Sequence, residues 1–192
     1  MIAKRSFLGH SIPHPAASYP SLATPAELWC DEIPVLNIAQ VRQNLGSVAT
    51  LAGQVVIGTD WDQCRLILDL VVRGAESCGF DEKTVDAIRI AIQEALANAV
   101  RHGNRYEDAI IRVEYQFRGD AFRVRITDQG SGFDPNAIPD PTLPENIGKP
   151  SGRGLLMMRH YMTEVRFNER GNSVEMWKQC RRESEAWSKH RA

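Results

Sequence analysis

The chain has 192 residues, 43% hydrophobic and 24% charged, with a formal net charge of −1. That length carries one domain with a proper core and is short for two. The charge leaves no basic footprint for nucleic acid, and no apolar run reaches the length of a membrane span.

The first 50 residues differ from the rest. Five of the ten prolines lie between Pro13 and Pro34, among Ser and Ala, so a mobile arm with short ordered pieces is expected. The arm has two early basic residues but no continuous apolar region, so no secretory signal is expected. Its stretch PAELWCDEIPVLNIAQVRQNL has enough apolar residues to dock, as a short helix. Cys30, Cys64, Cys78 and Cys180 are scattered without a C-x-x-C pair. They read as reduced thiols of a cytoplasmic protein, and with no C-x-x-C pair a zinc site is not expected.

From residue 51 the pattern becomes regular. GQVVIGT reads as a strand. A helix is expected from about Asp60 to Cys78, closed by Gly79, with Leu66, Leu70 and Val71 as its apolar face. DEKTVDAIRIAIQEALANAVRHG is the clearest helix, with Asp81 as N-cap and Glu82 in the first turn. Val85, Ile88, Ile92, Ala95 and Ala99 give it one apolar face, and Gly103 or Asn104 can end it in the left-handed conformation. AIIRVEYQF and AFRVRITD alternate as strands around an RGD turn. After a Pro-rich gap come a helix, GRGLLMMRHYM, and the strands EVRFNE and SVEMWKQ around RGN. Strands adjoin strands, which predicts an α/β (α+β) sandwich of two layers, one mostly antiparallel sheet under helices, rather than a doubly wound fold. The polar tail 181–192 is expected to fray, leaving 51–180 as the domain.

Four features carry chemistry. On the long helix Glu94 and Asn98 are four residues apart and share a ridge that Arg101 and His102 continue. Such oxygens suit Mg²⁺, and an adjacent Arg suits phosphate; a plain solvated face is the other reading. DQGSGF ends a strand with Asp128, and Gly130 and Gly132 permit close backbone approach. The carboxylate can accept from an exocyclic amine such as that of adenine, or it can simply cap a turn. The gap Asp134 to Ser151 holds five prolines, too long for an idle connection and suited to a lid that stays extended and outside the sheet. In GRGLLMM, Gly152 and Gly154 open a helix whose N–H groups can hold phosphate, or form an ordinary N-cap. No P-loop or Rossmann signature is present.

In this order EALANAVRHGN, DQGSGFDP and SGRGLLMMR resemble the N, G1 and G2 boxes of GHKL-type ATPase domains, the Bergerat fold. IPDPTLPEN between the last two resembles the lid of one subfamily. The chain is most similar to anti-sigma-factor serine-protein kinases of the RsbW and SpoIIAB kind, over about Gln54 to Gln179. The resemblance implies ATP and Mg²⁺ as cofactors. It gives Glu94 as general base, Asn98 as the Mg²⁺ ligand, and Arg101 at the phosphates. It also gives Asp128 on adenine with Gly130 and Gly132 shaping that end, and Gly152, Arg153 and Gly154 at the phosphates. Ser173 stands near the place of a threonine by the adenine in such domains, and His102 reads as structural or as a helix-end cation. The implied partners are a STAS-domain anti-anti-sigma protein, phosphorylated on serine, and a sigma factor, with a homodimer as the common assembly. The first 50 residues are extra relative to such proteins and could cover the dimer or sigma-binding surface. Two other functions remain open from sequence: an ATP-holding module that grips a partner without turnover, and an ATPase or histidine-kinase domain within a larger switch.

Overall fold

The computed structural model describes residues 33–45, 51–103, 108–146 and 152–179. The arm before residue 33, Asn104, the last part of the Pro-rich gap and the tail lie outside these residues. The elements run β1 (Val35–Leu36), α1 (Ile38–Asn44), β2 (Ala52–Gly58), α2 (Trp61–Ser77) and α3 (Glu82–Gly103). They continue with β3 (Ile110–Arg118), β4 (Ala121–Asp128), α4 (Arg153–Tyr161), β5 (Glu164–Phe167) and β6 (Ser173–Gln179). One six-stranded sheet has the order β1-β2-β3-β4-β6-β5. Only the β1–β2 pair is parallel; the others are antiparallel. This is the expected mixed, mostly antiparallel sheet with its helices on one face.

Register decides which side chains face the helices. Val55, Val113, Ile126, Val174 and Phe167 form one cross-strand row. The first four are buried in the core and Phe167 packs against it. Val85, Ile88, Ile92, Ala95 and Ala99 of α3 are all buried opposite them. Because side chains alternate across a strand, the neighbouring rows point away from the helices. There Glu114, Arg125, Glu175 and Arg166 line up. Arg123 and Arg125 both donate to Glu175, the latter at 2.6 Å, so this face is held by opposite charges on neighbouring strands.

Three local details depart from the sequence pattern. The buried side of α2 runs through Cys64, Ile67, Leu70, Val71, Gly74 and Ala75, while Leu66 packs only at its margin. Burial raises the Cys64 thiol to about 11, helped by Asp60, so it is a core side chain rather than a nucleophile. The stretch expected to dock as a short helix does so as α1, and also adds a strand. Asn37 caps α1 in a reciprocal box with Gln40, Val41 is buried, and Val35 and Leu36 pair with β2. The sheet therefore begins upstream of residue 51. At the end of α3, Gly103 is helical and is absent from the positive-φ glycines, so it does not supply a left-handed stop. A Cβ there would lie 3.1 Å from the Asp128 Cβ. Close approach to β4, not backbone reversal, is what this glycine permits.

Candidate nucleotide site

The site forms where α3, the end of β4 and the start of α4 converge on one side of the sheet. Asp81 starts α3 by accepting from the Thr84 N–H at 2.8 Å, and burial of the apolar stripe fixes the helix rotation. Glu94 and Asn98, off that stripe, are left half-buried at its edge. They face the first turn of α4. A Cβ added to Gly154 would lie 2.7 Å from Glu94 Oε2 and 3.7 Å from Asn98 Nδ2. Gly152 is the α4 N-cap at φ 89° and offers no side-chain capping bond. The first-turn N–H groups of α4 thus have neither an intrahelical acceptor nor a side-chain cap at the N-cap, and the helix dipole points there.

A cavity of about 430 Å³ opens between these elements, lined by Asn98, Arg101, His102, Phe133, Ile138, Gly152, Gly154 and Leu155. Its volume is in the range of small-molecule sites. Arg153 is exposed and is not among the lining residues. Asp128 lies beyond Phe133, in an adjoining recess of about 20 Å³ that Asn98, Phe167 and Asn172 also line. That is room for about one water, so the Asp128 end is closed over in this conformation, with Phe133 lining both spaces. A larger cavity, about 520 Å³, lies on the opposite face among Arg112, Glu114, Arg125 and Glu175. It is a trough between ion-paired side chains and holds none of the residues singled out from sequence except Ser173.

Asp128 is held firmly. Its Oδ1 accepts from the Gly130 N–H at 2.7 Å. Burial pushes its carboxyl above the ordinary value, opposed by that bond and by the charges of His102 and Arg170. A side chain on Gly130 would overlap the His102 carbonyl oxygen, and one on Gly132 the Arg170 carbonyl oxygen. Gly132 also has φ 74°, a conformation that other residues rarely adopt. The D-x-G-x-G loop is thus clamped between the end of α3 and the β5–β6 turn.

The structure brings Asn98, Arg101, Gly152 and Gly154 around one cavity, with Glu94 outside its lining but against Gly154, and sets Asp128 in the adjoining recess, where the Gly130 N–H holds it. Ser173 also lines the Asp128 recess, but its hydroxyl is engaged on the other side of the sheet. Its hydroxyl is 2.7 Å from that of Thr127, and the Thr127–Ser173 pair alternates with the core-facing Ile126–Val174 pair. Its side chain belongs to the opposite face, and the Asn172 amide is the group bonded to the Asp128 main chain. His102 does more than end a helix, since it lines the cavity and lies 6.2 Å from the Phe133 ring. The described part of the Pro-rich gap, 134–146, stays out of the sheet as expected, but it is coiled rather than extended. Asp134 accepts from the Asn136 N–H, Asp140 from the Thr142 N–H, and a 3₁₀ turn spans Pro144–Asn146. These Asp side chains supply the turns that the prolines alone would not. Ile138 packs against the core, so this segment forms one wall of the cavity.

A model of the histidine kinase-like ATPase domain matches residues 58–178. The chain belongs to this family. Relatives named serine-protein kinase RsbW include one from Listeria innocua, 31% identical over 112 residues, covering 54% of this chain and 71% of that protein. One from Bacillus cereus is 28% identical over 125 residues, covering 61% and 78%. The crystal structure of the RsbU and RsbW domains of a Mycobacterium tuberculosis protein aligns with a TM-score of 0.45 at 19% identity, over 67% of this chain and 32% of that one.

The donors of this histidine kinase-like ATPase domain fit a magnesium nucleotide. Glu94 and Asn98 offer oxygens suited to a hard cation. Among the described residues no three His, Cys, Asp or Glu side chains cluster as a complete metal site. A magnesium ion beside Asn98 would therefore complete its shell with phosphate oxygens and water, as this ion commonly does. Gly154 leaves open the space against Glu94 that any side chain would fill. No helix of the described residues is long and apolar enough to cross a membrane.

Proposed function

We propose that this protein is an ATP-dependent protein-serine kinase acting as an anti-sigma factor. It phosphorylates a serine on a STAS-domain anti-anti-sigma protein and, in its other state, holds a sigma factor. We place it in the cytoplasm as a homodimer. The observation that carries this reading is the meeting of Glu94 and Asn98 with the glycine-opened start of α4, beside a cavity that Asn98, Gly152 and Gly154 line. The names of the relatives supply the reaction class.

ATP supplies the phosphoryl group. Phosphoryl transfer needs positioning and charge neutralisation more than covalent help. The first-turn N–H groups of α4, from Gly152 onward, orient the phosphates, with Arg101 adding charge at the rim and Arg153 at the helix start. Asn98 holds the metal. Glu94, half-buried and within reach of the α4 start, accepts the proton of the attacking serine hydroxyl. Asp128 accepts from the exocyclic amine of adenine, held by Gly130 and shaped by Gly132. The wall that includes Ile138 excludes water from the reacting end. Since the Asp128 recess holds about one water in this conformation, Phe133 must swing aside before a base can enter.

Calorimetry with Mg-ATP on wild type and Asp128→Asn tests the site. Binding that the substitution abolishes supports it. Absence of binding to folded wild type removes the enzyme reading and leaves a module that grips its partner without nucleotide. Glu94→Ala is expected to keep ATP and lose transfer to a serine-bearing STAS protein.

A further inference from the structure

We infer that Asn172 is the positioning residue for Asp128, and that it makes the site selective for a purine with a 6-amino group; this rests on the ATP-binding reading above. Asn172 grips Asp128 at both main-chain groups. The Asp128 N–H donates to the Asn172 carbonyl at 2.9 Å, and the Asn172 side-chain amide donates to the Asp128 carbonyl at 2.8 Å. The second bond replaces a ladder bond at the point where β4 ends. It fixes the peptide plane after Asp128, and with it the loop in which the Gly130 N–H meets the Asp128 carboxylate.

Asn172 is itself clasped. Its Oδ1 accepts from Asn168 Nδ2 at 2.9 Å, and its N–H donates to Asn168 Oδ1 at 3.1 Å. The Ser173 N–H also donates to that oxygen. The β5–β6 turn is thus a two-asparagine unit whose free end is the amide held against Asp128. The turn is seated on the D-x-G-x-G loop by glycines on both sides. A side chain on Gly171 would overlap the Phe133 carbonyl oxygen, as one on Gly132 would overlap that of Arg170. A carboxylate tied this way at Oδ1 and through its own backbone has one oxygen left, Oδ2, with a fixed aim. An acceptor of fixed aim rewards a ligand that places an N–H there and gives nothing to one that lacks it.

The test compares ATP with purine riboside 5′-triphosphate, which is ATP without the 6-amino group. Each is titrated calorimetrically, with Mg²⁺, into full-length wild type and Asn172→Ala. Wild type is expected to prefer ATP. Asn172→Ala should lose about tenfold in ATP affinity, the scale of one lost hydrogen bond, while its affinity for the 6-unsubstituted nucleotide stays within about twofold. Asn172→Asp keeps the shape but puts an acceptor where the donor was, and should shift in the same direction, so it carries the test if the alanine variant does not fold. An equal fall for both nucleotides means that Asn172 only supports the loop, and overturns the inference. Unchanged affinities overturn it too. If wild type binds neither nucleotide the ATP reading itself fails; if it binds both alike, the role of Asp128 fails while nucleotide binding stands.

Discussion

Gly154→Ala separates the two roles that the start of α4 can play. The backbone at 154 is not among the positive-φ glycines, so alanine fits the helix, and its intrinsic preference over glycine is up to about 1 kcal/mol in a helix interior. The new Cβ, however, would stand 2.7 Å from Glu94 Oε2 and 3.6 Å from Glu94 Cδ. Something must yield, and the free end of the Glu94 side chain is the softest neighbour. Stability should therefore be unchanged or slightly raised while the carboxylate swings away. A general base contributes about 10²- to 10⁴-fold, and a displacement of about 1 Å can cost about 10²-fold. Transfer should then slow about 100-fold, equivalent to roughly 2.7 kcal/mol. Single-turnover transfer under saturating ATP measures this, with the ATP Kd measured separately and expected to change little. The decisive control is the double variant with Glu94→Ala. If the new methyl acts by displacing Glu94, it costs nothing further once Glu94 is gone. A full 100-fold loss in that background would show that the methyl blocks the phosphates instead, and an unchanged rate in the single variant would refute the geometry.

Asp128→Asn should raise Tm at pH 7 while abolishing ATP binding. The folded-state pKa of Asp128 is raised by burial, so its charged form is disfavoured on folding. The penalty is absent below the unfolded-state pKa and grows as pH rises through the folded one, and a Tm series from pH 3 to 7 should show the variant's advantage appearing over that window. Tyr115→Phe should stabilise by about 1 kcal/mol in urea unfolding, because the buried Tyr115 hydroxyl has no hydrogen-bond partner and such a group carries an unrecovered desolvation cost. Gly74→Ala should destabilise by about 1–2 kcal/mol, since its Cβ would lie 2.6 Å from the buried Phe117 ring and overpacking outweighs the helix gain.

Much of this was legible in the chain, for identifiable reasons. The helix over Glu82–Gly103 is 22 residues long, so its period outweighs local noise. The strands β3 and β4 alternate over a two-residue turn. Glu94 and Asn98 could be paired because a helix fixes what lies four residues apart. The face of Ser173 was legible too: Val174 points into the core, so its neighbour must point away. β1 was not legible, because a strand of two residues has no period; it forms because the edge of β2 offers unpaired backbone groups, and Gln54 donates to the Pro34 carbonyl at 2.8 Å. The turns within the Pro-rich segment depend on which N–H groups Asp134 and Asp140 reach, and spacing alone does not specify that. The place of Asn172 depends on the register of β6 against β4, a long-range fact.

The glycines of the two boxes illustrate why motif spacing pointed to the right place for an incomplete reason. Read as a sequence, they are permissive residues that let a ligand approach the backbone. In the fold, those of DQGSGF are first occupied by protein. Gly130 abuts the carbonyl of His102 and Gly132 that of Arg170, so they let three chain segments stack and thereby fix Asp128. Gly152 and Gly154 act differently. A Cβ on Gly152 would lie 3.0 Å from the Pro139 carbonyl oxygen and 3.1 Å from Ile138 of the Pro-rich segment, while one on Gly154 would meet Glu94. The first is a close approach to the cavity wall at positive φ and the second a gap reserved for a carboxylate. Substitution at 130 or 132 should therefore show as lost stability and lost binding together, whereas substitution at 154 should show as lost transfer in a folded, nucleotide-binding protein. That divergence follows from what each missing Cβ would touch.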